Sequence, residues 1–194
     1  MFFQIRNRLL ALKDRYQHRS FSASEFTKLI RRQFAPADYS FKTHRDYAVD
    51  PDMILVSGIY DWRNITQGEP NVEITLSYHP EQDTYFGQLI EWDTLSFDIA
   101  ECIGHELIHQ KQHKKKIKLA PYVNDDPEKE YLGHECEIDA YGFSIAAESI
   151  SYNKNYTDCV MYQVYKKTFD TDHSVVVKLE KQIIKYLIEL ELKK

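Results

Sequence analysis

Residue periodicity, cap signals and turn chemistry together predict an α+β protein. Its small, mainly antiparallel sheet leads into a helical core, with scaffold helices at both ends. The run Val72-Glu73-Ile74-Thr75-Leu76-Ser77 alternates as a half-buried strand does. Ile99, Ile103 and Leu107 recur at i, i+4 and i+8, the apolar stripe of a helix. Val176, Leu179, Ile183, Leu187 and Leu190 form a second such stripe near the C-terminus.

Taken in order, residues 2–17 predict a short amphipathic helix. Ser22 and Glu25 have capping-box spacing, followed by Phe26, Leu29, Ile30 and Phe34 at helical intervals, and this helix is expected to end before Pro36. Met53-Ile54-Leu55-Val56 opens a strand ending near residues 58–60, and residues 72–77 form the next. His79-Pro80-Glu81-Gln82-Asp83 supplies turn residues, so residues 85–92 are expected to return as a third strand. A helix follows over residues 96–115. Asp126-Pro127 reads as an N-cap with proline at the first helical position, starting a long helix to about residue 150. Residues 151–158 read as loop, and residues 171–194 end in the C-terminal helix.

At 194 residues the chain fits one domain over 1–194, long enough to bury a core without staples. The net charge of −5 argues against a polyanion partner, and the lysine-rich residues 110–118 are read as a solvated helix end rather than a nucleic-acid patch. Three cysteines, Cys102, Cys136 and Cys159, lack C-x-x-C spacing, which argues against a disulfide framework and fits a reducing compartment. No stretch has the apolar length of a membrane span, and the N-terminal segment, interrupted by Arg6 and Arg8, lacks a leader's apolar core. A cytoplasmic protein with no membrane partner is expected.

Chemistry concentrates in Gly104-His105-Glu106-Leu107-Ile108-His109, an H-E-x-x-H pattern within the 96–115 helix. Positions i and i+4 lie on one helix face, so both imidazoles point the same way, suited to sharing a metal ion. The apolar stripe is two residues out of phase, about 200° round the helix, so the histidine face is left to a cleft. A catalytic metal needs a third protein ligand. The extended metzincin pattern is absent, because Gln112 and Lys115 stand where it requires glycine and histidine. The stretch His134-Glu135-Cys136-Glu137-Ile138-Asp139-Ala140-Tyr141-Gly142 offers Glu135, Glu137 and Asp139, with Glu135 and Asp139 four apart on one face. A carboxylate one turn from a ligand suits a partner that holds a histidine ring in place.

The pairing of H-E-x-x-H with a downstream E-x-E-x-[DN]-x-[aromatic]-[small] helix resembles the gluzincin metallopeptidases, and is most similar to the ImmA/IrrE-like group and to the HtpX-like peptidases. The resemblance covers roughly residues 96–147; Ile138 departs from the usual alanine. It implies His105 and His109 as metal ligands, Glu106 as the catalytic glutamate, Glu135 as third ligand and Asp139 behind the ligands, with Tyr141 and Gly142 at the aromatic and small positions. The activity implied is zinc-dependent hydrolysis of a protein or peptide substrate: Glu106 takes the proton of a zinc-bound water and later delivers it to the leaving amine. Two imidazoles and a carboxylate suit Zn2+, with manganese, iron or cobalt as alternatives. An edge strand such as 84–91 is expected to hold extended peptide. The alternatives are a non-catalytic zinc-stabilised binding or structural protein, a SprT-like DNA-associated protease with His134 as third ligand, and hydrolysis of a non-protein amide.

Overall fold

The computed structural model describes residues 1–34, 39–62, 72–88, 90–117, 119, 128–170 and 173–193. The chain is α+β and divides into two compact units, Met1–Glu106 and Leu107–Lys194, with the division falling inside one unbroken helix.

In the first unit, helices α1 (Phe2–Tyr16) and α2 (Ala23–Phe34) precede strands β1 (Tyr39–Arg45), β2 (Ile54–Tyr60) and β3 (Val72–Tyr78), a 3-10 segment (Pro80–Gln88) and the start of α3 (Trp92–Lys114). The expected capping box closes α2: the Ser22 N–H donates to Glu25 Oε2 at 2.8 Å, and the Glu25 N–H donates to Ser22 Oγ at 3.3 Å. The Ser22 N–H and, next, the Ser22 hydroxyl, which donates to Glu25 Oε2 at 3.0 Å, hold the Glu25 carboxyl below its ordinary range. The Arg31 guanidinium donates from Nε to the Phe41 carbonyl at 3.0 Å and ties α2 to β1.

The sheet order is β1-β3-β2, with β1 parallel and β2 antiparallel to β3. The expected mainly antiparallel sheet is therefore mixed. β1 carries the parallel half; its half-buried, mostly polar sequence Tyr-Ser-Phe-Lys-Thr-His-Arg gives little apolar alternation. Val72, Ile74, Leu76 and Tyr78 of β3 all face inward, as their alternation requires. The strand expected over 85–92 does not form. Phe86 is fully buried against Phe26 and Tyr78, with ring centroids at 5.5 and 5.1 Å. Gly87 donates its N–H to the Phe21 carbonyl at 3.0 Å, and a Cβ there would lie 2.8 Å from the Arg19 carbonyl oxygen. These local anchors coil the segment, and Trp92 already begins α3, four residues before the predicted start.

In the second unit, α3 runs on into α4 (Glu128–Gly133), α5 (Glu135–Tyr152), a 3-10 turn (Tyr156–Asp158), α6 (Val160–Thr168) and α7 (His173–Glu191). The Asp126-Pro127 start signal lies outside the described residues. The single helix expected to about residue 150 is two helices, broken at His134, whose backbone is extended (φ −70°, ψ 138°) and whose Nδ1 accepts the Cys136 N–H at 3.4 Å. A histidine in the cap position thus restarts the helix. α5 and α7 approach closely at Gly142, where a Cβ would meet Gln182 Cβ at 2.5 Å. α6, which the sequence reading did not anticipate, buries Tyr165; its hydroxyl donates to the Leu132 carbonyl at 2.9 Å and its ring packs edge-on to Tyr141. Among the described residues no helix is long and apolar enough to cross a membrane.

Candidate metal centre

His105 and His109 occupy successive turns of α3, and helix continuity alone fixes their spacing. His109 is buried, and Glu137, in the first turn of α5, is buried with its carboxylate Oε1 3.4 Å from His109 Nε2. One ligand atom from each of His105, His109 and Glu137 lies within 4.8 Å of the others. The α5 N-terminus favours an anion in its first turn, which offsets part of the cost of burying the Glu137 carboxylate.

The hydrogen bonds around Gln112 decide the state of the His109 ring. Gln112 is buried, and its Nε2 donates to the Cys136 carbonyl at 3.0 Å and to Asp139 Oδ2 at 3.1 Å. Both partners are acceptors, so the amide nitrogen must face them and Oε1 must face His109 Nδ1, 2.9 Å away. An amide oxygen only accepts; Nδ1 therefore carries a proton, which leaves Nε2 as the ring nitrogen on the Glu137 side, an acceptor whenever the ring is neutral. With Nε2 unprotonated, two acceptors 3.4 Å apart repel unless a proton or a metal ion joins them. The distance also suits a metal, since a tetrahedral ion with bonds of about 2.1 Å separates its ligand atoms by about 3.4 Å. The donor set of two imidazoles and one carboxylate therefore fits zinc chemically and in scale.

The placement of the carboxylates differs from expectation. Glu135, expected as the third ligand, has a side chain 81% exposed and pairs with Lys178 at 3.3 Å; Glu137 occupies the position beside the histidines. Two residues apart on α5 means about 200° of rotation, so only one of the two can face α3's histidines. Asp139, expected to hold a histidine directly, reaches His109 through the Gln112 amide instead. His134 is engaged in capping α5, with Nδ1 3.0 Å from Cys136 Sγ, and is not part of the donor group. The Cys136 thiol, given no place in the site by the sequence, lies 3.5 Å from Glu137 Oε1.

Glu106 follows His105 and is buried. Its neighbourhood in the first unit depends on Gly58 of β2: a Cβ at Gly58 would stand 2.8 Å from Glu106 Cγ and 2.6 Å from Cys102 Sγ. Glycine is what lets the strand backbone come this close to that turn of α3. Burial among the carboxylates Glu101, Glu106 and Asp98 pushes the Cys102 thiol far up, so it stays protonated.

The sequence reading named Glu137 among the candidate carboxylates but took Glu135 as the ligand, and gave Gln112 no role beyond its place where the metzincin pattern requires glycine. Gln112 was legible as the residue one turn after His109 on the same face, with an amide able to bond the ring; Glu137 became distinguishable from Glu135 only once the break at His134 set the rotation of α5. Comparison with known protein families, with curated proteins and with solved structures finds no match to this chain.

Proposed function

We propose that this chain is a zinc-dependent hydrolase of peptide bonds, with His105, His109 and Glu137 as the metal ligands and Glu106 as the general base. The observation that carries the reading is the convergence of those three donor groups, with His109 Nε2 3.4 Å from Glu137 Oε1 and His109 Nδ1 bonded to Gln112. The resemblance of the two motifs to gluzincin peptidases, in their order and separation, adds to it. The ion, when bound, would acidify a water and polarise the scissile carbonyl. The protein's own groups do the rest. Glu106, next to His105 and held close to the Gly58 backbone, would accept a proton from that water and return it to the leaving nitrogen. Among the described residues β2 is an edge strand of the sheet, and at Gly58 it runs against Glu106, so it takes the place of the 84–91 segment as the strand on which extended peptide would pair.

The test is zinc content and hydrolysis of a mixed peptide library by wild type and Glu106→Gln. We expect about one zinc per chain in both, from the one three-donor group among the described residues, and cleavage by wild type alone. A wild type that takes up no zinc overturns the reading. Zinc without cleavage of any library member removes the hydrolase and leaves a metal-stabilised protein.

A further inference from the structure

Helix α7 touches the candidate metal centre through a line of side chains that the two motifs do not include. Asp139 Oδ1 accepts the Tyr186 hydroxyl at 3.0 Å and the Lys185 ammonium at 3.1 Å, while Oδ2 accepts the Gln112 amide, whose Oε1 accepts the His109 Nδ1 proton. Both Asp139 oxygens are thus engaged, Oδ1 by two donors from α7 and Oδ2 by one from α3. The Tyr186 ring is itself held, edge-on to Phe143 at 5.6 Å and under the Lys185 ammonium at 4.3 Å. Burial beside Asp139 pushes the Tyr186 phenol far up, so it is a permanent donor. Gly142 sets the reach: it lets the α7 backbone at Gln182 lie against α5, one turn from both Asp139 and Tyr186.

We propose that Gln112 is a positioning residue for His109, through which Asp139, anchored by Tyr186 and Lys185 of α7, fixes the tautomer and orientation of the imidazole. The C-terminal helix thereby becomes part of the metal centre without contributing a ligand. Direct contact between Asp139 and the ring is replaced by an amide that needs all of its hydrogen-bonding groups satisfied: it donates to Asp139 and to the Cys136 carbonyl and accepts from His109. A relay of this kind is directional. Reversing the ring tautomer would set an N–H against the Glu137 side and leave the Gln112 oxygen facing a lone pair. The Asp139–Tyr186 bond keeps the far end from rotating away. This inference rests on the reading of His109 as a metal ligand.

Two readouts separate the relay from that reading. The first is the imidazole 15N spectrum of the metal-free protein at about pH 8, where an ordinary histidine is neutral. The second is the zinc dissociation constant by chelator competition. Wild type, Gln112→Met and Tyr186→Phe are compared, with circular dichroism as the check on folding. We expect His109 of the wild type as the Nδ1–H tautomer, a mixed or reversed tautomer in Gln112→Met, and zinc binding weakened about 10- to 100-fold there. Tyr186→Phe, a conservative change that leaves Gln112 in place, should weaken zinc binding in the same direction by less. An Nε2–H tautomer in wild type, or a Gln112→Met variant that keeps both the wild-type tautomer and zinc affinity within about twofold, overturns the relay. If no form binds zinc, the metal reading fails, and the tautomer alone still decides the relay. If Gln112→Met does not fold, the wild-type spectrum and Tyr186→Phe decide it: unchanged zinc affinity in Tyr186→Phe removes α7 from the relay.

Discussion

Replacing Glu137 with Gln keeps the side chain's shape and removes its charge, and Glu135→Gln does the same two residues away. Glu137 sits 3.4 Å from His109 Nε2 with a side chain 4% exposed. If Glu137 coordinates the ion, losing it must exceed the roughly 10- to 100-fold loss that follows removal of a group one shell further out, so zinc affinity should fall at least about 100-fold, or about 2.7 kcal/mol. Glu135 is largely in solvent and paired to Lys178, itself 55% exposed; such a pair contributes about 0–1 kcal/mol, and solvent and salt screen its field. The assay is thermal unfolding with and without zinc. At free zinc about 100 times the wild-type Kd, binding stabilises the folded state by about 2.7 kcal/mol. For a chain of this length that raises Tm by about 5–11 °C. Wild type and Glu135→Gln should show this rise, and Glu137→Gln at the same zinc concentration almost none. The reverse pattern, with Glu135→Gln insensitive and Glu137→Gln responding as wild type, would refute the assignment and restore Glu135 as the ligand.

Three further outcomes follow from the packing and charge. Gly58→Ala would put a methyl 2.6 Å from Cys102 Sγ and 2.8 Å from Glu106 Cγ, so it should destabilise the protein by about 1–3 kcal/mol. It should also lower hydrolysis well beyond any change in zinc affinity, which a kinetic and a zinc titration run side by side would check. Gly142→Ala drives a methyl into Gln182, and a similar loss of stability is expected by denaturant unfolding. In the first unit, the Tyr78 hydroxyl and, next, the Arg45 guanidinium hold the Asp83 carboxyl below its ordinary range. A depressed carboxylate stabilises the fold above its unfolded pKa, and that contribution disappears as pH falls through the folded value. Removing the larger cause with Tyr78→Phe should therefore cost about 1 kcal/mol at neutral pH and move the acid limb of unfolding to higher pH, readable in a pH series of melts.

The sequence by itself determined the features that depend on local chemistry and strong period. The capping box at Ser22 and Glu25, the inward face of Val72 to Tyr78, the apolar stripe of α7, and the pairing of His105 with His109 on one face all follow from spacing along a single element. The tertiary structure decided whatever depended on how an element is rotated or on who its neighbour is. Phe86 and Gly87 are anchored by α2 and the turn before it, so an apparent strand coils. β1 is a strand because β3 offers it a parallel partner, although its own sequence is largely polar. Most of all, the choice between Glu135 and Glu137 turns on where α5 begins. A cap at His134 and the close crossing of α7 at Gly142 fix the helix rotation, and about 200° of it separates a solvent-exposed ion pair from a carboxylate facing an imidazole. Sequence spacing places residues on a face; only packing decides what that face looks at.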